Sequence, residues 1–243
     1  MRLVLALTVL LLGPGVLAQE ACVFCKGVDG VRSIDYCDGA HPVCSRCARK
    51  LPRCQLCRNP TDAAVHRDGR LICQFCRKTG VFDQKQLDRI YTEVQQFVKV
   101  ALKGIQIQPP PPVQLVDKDE LQTKFTEGGR SMDVGGFYRP YNPEMIYVLT
   151  GYQPLECAAT MVHEYTHAWQ SRNCTSQDRA VTEGFASWVE YKYLMSRGER
   201  SEAEQLKRKS NPDYGEALLK FLELEKKLGT PGVIKFARES PKF

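Results

Sequence analysis

Long apolar runs are nearly absent from this chain. The one present, Leu3 to Leu12, is too short to span a bilayer, and no later stretch could do so. Arg2 precedes it, and Val16-Leu17-Ala18 offers a small-residue cleavage site before Gln19. Met1 to Ala18 therefore reads as a secretion signal outside the fold. Gln19-Glu20-Ala21-Cys22 does not resemble a lipoprotein box, so the expectation is release, periplasmic or extracellular, without an anchor. Blocks of like charge are also missing, so nucleic acid is not an expected partner. The formal net charge is +6, and the surplus lies in residues 20–80, which hold eleven Lys/Arg against six Asp/Glu. Eight thiolates on two zinc ions would bring that segment to about +1, so its arginines balance zinc-thiolate charge.

Histidine is scarce, with four in 243 residues. Two of the four stand in Met161-Val162-His163-Glu164-Tyr165-Thr166-His167-Ala168-Trp169. His163 and His167 are four apart, one turn of a helix, and face the same way. Two imidazoles at that spacing can bind one zinc ion, and the adjacent Glu164 can serve a metal-activated water as general base. Ala158, Ala159, Met161, Val162 and Ala168 make the flanks apolar or small, as a buried helix needs. A catalytic zinc takes a third protein ligand and keeps one position open. Glu183, sixteen residues after His167, is the best candidate, with Asp178 and Glu190 as rivals. Leu155 to Ser171 is the predicted metal helix, and 176–197 a second helix capped by Ser176 and ended by Gly198. Gly184, Ala186 and Ser187 would allow close helix contact, with Phe185, Trp188 and Tyr191 as core residues. Cys157 and Cys174 are too far apart on a continuous helix to bridge, and read as buried free thiols.

Cysteine is plentiful by contrast. Residues 20–80 carry nine of the eleven, eight of them in four Cys-x-x-Cys pairs. Paired knuckles present two thiolates each to a metal, and an odd count argues against a disulfide framework. In a serial arrangement Cys22, Cys25, Cys44 and Cys47 hold one structural zinc, and Cys54, Cys57, Cys73 and Cys76 a second. In a cross-braced arrangement, as in RING fingers, Cys37, His41, Cys54 and Cys57 form the second site. The serial reading uses all four pairs and is preferred. Either module has little apolar content, so metal would supply its folding energy.

The apolar fraction of 43% supports one moderate domain plus a small module. Leu87, Ile90, Val94, Phe97 and Ala101 recur at helical spacing over 83–103, a predicted joint between module and catalytic domain. Ile105 to Gln108 reads as a short strand, and Pro109 to Pro112 as an extended spacer. A strand, a helix from Lys118 to Phe125 and a turn at Gly128-Gly129 follow. Val134 to Arg139 and Met145 to Thr150 are β-rich, and one of them is the candidate edge strand for holding an extended substrate. Residues 201–243 are expected to be helical, with Leu206, Leu218, Leu219, Leu222 and Leu228 inward. Tyr214 could stabilise an oxyanion. The expected class is α+β, with segments 1–18, 20–80, 81–112 and 113–243.

The order of these parts resembles the LIM-domain peptidases of plants that restrict organ size, and their prokaryotic relatives. The resemblance runs from about Cys22 to Tyr214. It is carried by Leu51-Pro52-Arg53-Cys54-Gln55-Leu56-Cys57, Asp68-Gly69-Arg70-Leu71-Ile72-Cys73-Gln74-Phe75-Cys76, the 83–103 helix, Ile146 to Gly151, His163 to Trp169, Glu183-Gly184 and Tyr214-Gly215-Glu216. It implies a small LIM-like zinc module followed by a mainly helical gluzincin-type metallopeptidase domain with a small antiparallel sheet. It implies that His163, His167 and Glu183 hold the catalytic zinc with Glu164 as base, and it favours the serial cysteine arrangement. A secretion signal stands where a ubiquitin-interacting segment would precede the cysteines. The function expected is a secreted zinc endopeptidase acting on protein or peptide. The alternative is a binding protein whose LIM-like module captures a protein partner on a degenerate peptidase scaffold.

Overall fold

A computed structural model describes residues 20–126 and 135–243, with an α+β architecture. The N-terminal signal reading, the Gly128-Gly129 turn and Val134 lie outside the described residues. Among the described residues, no helix is long and apolar enough to cross a membrane.

The cysteine-rich segment folds around its thiols. A hairpin of β1 (Val31–Tyr36) and β2 (Gly39–Cys44) leads into α1 (Ser45–Lys50), and α2 (Gln74–Thr79) closes the segment. The same device starts both helices: Cys44 Sγ accepts from the Cys47 amide at 3.4 Å, and Cys73 Sγ from the Cys76 amide at 3.3 Å. Each cap therefore also delivers one thiol of a set. The apolar complement is small, chiefly Tyr36, Val43, Ile72 and Phe75.

The main core is built from α3 (Gln84–Ala101), a three-stranded sheet and three long helices. The sheet comprises β3 (Val113–Val116), β4 (Gly136–Arg139) and β5 (Met145–Leu149), with α4 (Lys118–Thr126) crossing over between β3 and β4. The long helices are α5 (Pro154–Asn173), α6 (Arg179–Ser196) and α8 (Gly215–Glu239), with a short α7 (Arg200–Leu206) before the last. Asp83 caps α3, which buries Leu87, Ile90, Tyr91, Val94 and Val98 in the main core. That helix is thus an integral layer and spans no gap.

Strand order is β3-β5-β4, with β3 parallel and β4 antiparallel to β5, so the sheet is mixed where an antiparallel one was expected. The α4 crossover supplies the connection that parallel pairing needs. Ile146 and Val148 face the main core, while Tyr147 and Leu149 face a second cluster with Leu121 of α4. The expected strand at Ile105 to Gln108 does not form. A 3-10 turn covers Lys103–Ile105, and the Ile107 amide donates to the Tyr165 hydroxyl at 2.8 Å, so its hydrogen bond goes to a side chain. The proline segment is fastened: Tyr91 donates to the Pro111 carbonyl at 2.8 Å, and Arg172 to that of Pro109 at 2.9 Å.

Helix α5 begins at Pro154 with a capping box between Gln153 and Glu156. Asp178, and not Ser176, caps α6, and Gly198 ends it at φ +82°. Trp169, Phe185, Trp188 and Phe221 join α5, α6 and α8, each fully buried or nearly so. Each contributes about 2–3 kcal/mol of apolar burial. Gly184 serves α8: a Cβ there would lie 2.6 Å from the Ala217 Cβ. Leu206 and Leu218 point inward as expected, but Leu219 and Leu228 are 44% and 54% exposed. Leu219 lies about 100° of helix away from Leu218, and Phe221 takes the inward place. Gly229, at φ +66°, kinks the helix just after Leu228.

Candidate functional site

Helices α5 and α6 pack face to face. They bring His163, His167 and Glu183 together, with one ligating atom of each within 4.8 Å of the others. The imidazoles are T-shaped to each other, with centroids 4.8 Å apart. Nε2 of His163 and Nε2 of His167 each lie 3.4 Å from Glu183 Oε2. That oxygen is buried and makes no hydrogen bond. A buried carboxylate oxygen equidistant from two ring nitrogens, without a donor of its own, fits a cation between them.

The outer ring nitrogens are engaged elsewhere. His163 Nδ1 faces Glu190 Oε2 at 3.0 Å, and His167 Nδ1 faces Gln170 Oε1 at 2.9 Å. Gln170 is oriented by donating its Nε2 to the Thr182 carbonyl at 2.9 Å, so its oxygen faces the ring. Both rings therefore carry a proton on Nδ1, which leaves Nε2 as the ring atom turned inward, the one that metal ligation would use. The rival ligands are accounted for: Glu190 is an outer partner of His163, and Asp178 is spent on its cap, accepting from the Val181 amide at 2.8 Å. No sequence pattern assigned Glu190 or Gln170 these parts, although Gln170 lies one turn past His167.

Charge coupling across the site is strong. Burial would lower the His163 pKa, but Glu183 and Glu190 push it up to about 10. Burial would raise Glu183, yet the two imidazoles hold it far below the usual carboxylate range. A metal ion would take the place of the proton these groups share, so affinity should fall with acidification. Replacing Glu190 by Gln removes the charge behind His163 without changing the volume. The expected loss of metal affinity at this site is about 10–100-fold, read by competition with a chelating fluorophore. A change under twofold would remove Glu190 from this role.

Glu164 lies next to the imidazole pair. Its Oε2 accepts from the Tyr138 amide of β4 at 2.8 Å, and burial raises its pKa. Strand β5 is central in the sheet and cannot accept an added strand, which leaves β4 as the edge that borders the helix. Gly136 permits that approach, because a Cβ would lie 2.6 Å from Thr160 Cγ2. The Tyr138 hydroxyl donates to Glu144 at 2.7 Å, and Glu144 also pairs with Arg172 of α5. Tyr214 packs against His163, with rings nearly parallel and centroids 6.2 Å apart. Burial and the Glu183 charge push its phenol up to about 12, so it stays a donor at neutral pH.

The cysteines form two further groups that could hold metal ions, Cys22, Cys25, Cys44 and Cys47, and Cys54, Cys57, Cys73 and Cys76. These are the serial sets. The cross-braced alternative fails because His41 is bound to Asp38 at 2.7 Å and stacks on Phe75 at 4.0 Å. Cys37 lies 3.1 Å from Cys76, beside the second set. Within that set, the neighbouring thiols Cys57, Cys73 and Cys76 hold Cys54 far below the ordinary thiol range, while the same crowding drives Cys76 up. Adjacent thiols cannot all ionise unless a cation offsets the charge. Cys157 and Cys174 are free, the first buried and the second half-buried. Comparison with protein-family models, with curated proteins and with solved structures finds no match for this chain.

Proposed function

We propose that this chain is a zinc-dependent metallopeptidase of gluzincin type, with zinc held by His163, His167 and Glu183 and two structural zinc ions in the cysteine segment. The observation that carries the reading is the convergence of both Nε2 atoms on one buried Glu183 oxygen, with each Nδ1 fixed from behind. Two nitrogens and one oxygen suit zinc, and the open remainder suits catalysis more than structure. Bound there, zinc would supply Lewis-acid polarisation of a carbonyl and acidify water.

The chain's own residues provide the rest. Glu164 takes a proton from the attacking water and carries it to the departing amine. Its raised pKa suits both halves of that transfer, since a stronger base also becomes a usable acid. The Tyr138 amide fixes the carboxylate, and the β4 edge aligns an extended peptide alongside it. The test is hydrolysis of a casein-type substrate by purified protein. Chelation should abolish turnover, and zinc should restore it. Turnover that survives chelation would refute the proposal. Metal analysis separates the alternative binding protein: three ions per chain accord with the enzyme, and two, lost only on mutating cysteines, accord with the binder.

A further inference from the structure

The peptidase reading leaves a guanidinium at the rim of the site without a part. Arg179 stands on α6 one turn before Glu183, so the two side chains leave the same face. Its Nε lies 3.9 Å from Glu183 Oε1 and 3.4 Å from Asp213 Oδ2. Asp213 precedes Tyr214, whose ring lies nearly parallel to that of His163 with centroids 6.2 Å apart, so the Arg179–Asp213 pair brings the guanidinium to the side of the site that Tyr214 borders. Arg179 is 55% exposed where Glu183 is 13% exposed, so the guanidinium extends from the floor of the site to its opening.

As a stabilising ion pair this arrangement contributes little, because half-exposed pairs are worth only about 0–1 kcal/mol. Beside a dication it is unfavourable, since like charges a few ångströms apart repel and the shared Glu183 loses donor strength. Asp213 offsets only part of that charge. A fixed cation beside a metal-ligand carboxylate is useful where negative charge develops on a substrate. In amide hydrolysis that place is the carbonyl oxygen, which becomes an oxyanion when water adds.

Resting on the peptidase reading, we propose that Arg179, held in place by Asp213, is a catalytic residue that binds the scissile carbonyl oxygen as it becomes negative, with Tyr214 as the second donor. Water adds to the carbonyl carbon, its proton goes to Glu164, and the former carbonyl oxygen carries the charge that Arg179 and Tyr214 meet. The C–N bond then breaks, and the amine leaves with the proton from Glu164. Asp213 is a positioning residue, since it acts only through Arg179.

The experiment uses the full chain loaded with zinc. Arg179→Ala, Arg179→Lys and Asp213→Asn are compared with wild type on a fluorogenic peptide, and by the affinity of a peptide phosphonamidate, a tetrahedral anion that mimics the developing charge. Arg179→Ala should lower kcat by about 10²–10³-fold with little change in KM and with metal content unchanged. Phosphonamidate affinity should fall by the same factor as kcat/KM, and methylguanidinium in solution should restore part of the rate. Arg179→Lys should be intermediate, and Asp213→Asn should lose less than Arg179→Ala. Unchanged kcat and unchanged phosphonamidate affinity in Arg179→Ala, with wild type active, would overturn this assignment alone. A zinc-loaded wild type that cleaves no peptide would overturn the peptidase reading and this one with it.

Discussion

Replacing Glu164 by Gln is expected to lower peptide hydrolysis by about 10²–10⁴-fold while all three metal groups stay intact. The side chain belongs to none of those groups. Gln has the same shape, and its amide oxygen can still accept from the Tyr138 amide that now meets Glu164 Oε2 at 2.8 Å. What it cannot do is take a proton. The loss should therefore appear in kcat, with KM nearly constant. His163→Ala should instead remove one ion per chain and abolish turnover, so the pair of variants separates base from ligand. Stability gives an independent readout. Burial raises the Glu164 pKa, so the folded chain holds its proton to higher pH than the unfolded one. Such a group lowers stability as pH rises through the raised value, and its full cost is present above it. Glu164→Gln without metal should therefore melt no lower than wild type at neutral pH, and higher if that cost dominates. A variant that keeps wild-type turnover, or loses an ion, would refute the role of base.

The parts of this site that were readable in the sequence are those fixed by short spacings. A separation of four positions between His163 and His167 puts both rings on one face of any helix. Cys-x-x-Cys places two thiols on one turn, and the second thiol of each later pair sits where its partner caps a helix. Glu183 was readable because a return helix with small neighbours follows the first. Glu190 was read as a rival ligand because spacing tells that a carboxylate is on the right helix but not which nitrogen it meets. It lies seven residues beyond Glu183, on the same face two turns on, and so reaches the outer nitrogen. Arg179 carried no signal, since a basic residue at the start of a helix looks like a solvated one until Asp213 and Tyr214 arrive from the far side of α7. The parallel pairing of β3 with β5 was hidden for a similar reason: strand pattern reports burial, and direction follows from the path of α4.

The attachment of the cysteine segment to the main core was also unreadable, and it predicts the second large effect. Asp68→Ala should destabilise the chain by roughly 3–5 kcal/mol, the cost of leaving a buried charge without its partner. The Asp68 side chain is fully buried. Its Oδ1 faces His66 Nδ1 at 2.8 Å and accepts from the Arg70 amide at 3.2 Å. Its Oδ2 accepts from Arg70 Nε at 2.8 Å and from the Lys118 amide at the start of α4 at 3.2 Å. Arg70 in turn donates Nη1 to the Thr150 carbonyl at 2.9 Å. The next residues are clasped as well, with the Gly151 amide on the Val81 carbonyl at 2.7 Å and the Val81 amide on that of Tyr152 at 2.8 Å. Thr150 to Tyr152 is the turn from β5 into α5, so one ion pair ties the cysteine segment to the entry of that helix. Burial would raise the Asp68 pKa, but the Arg70 and His66 hydrogen bonds hold it well below the carboxylate range. The stability this group contributes is therefore full above the unfolded pKa of about 3.9 and is lost as pH falls toward the depressed folded value. Asp68→Ala should flatten that acid dependence in urea titrations and weaken metal binding at His163, His167 and Glu183, although Asp68 touches none of them. Asp68→Leu combined with Arg70→Met should recover much of the stability, because it removes both charges and keeps the volume. A loss below about 1 kcal/mol in Asp68→Ala, within the range of an ordinary surface pair, would mean that the turn into the metal helix holds its shape without the clasp.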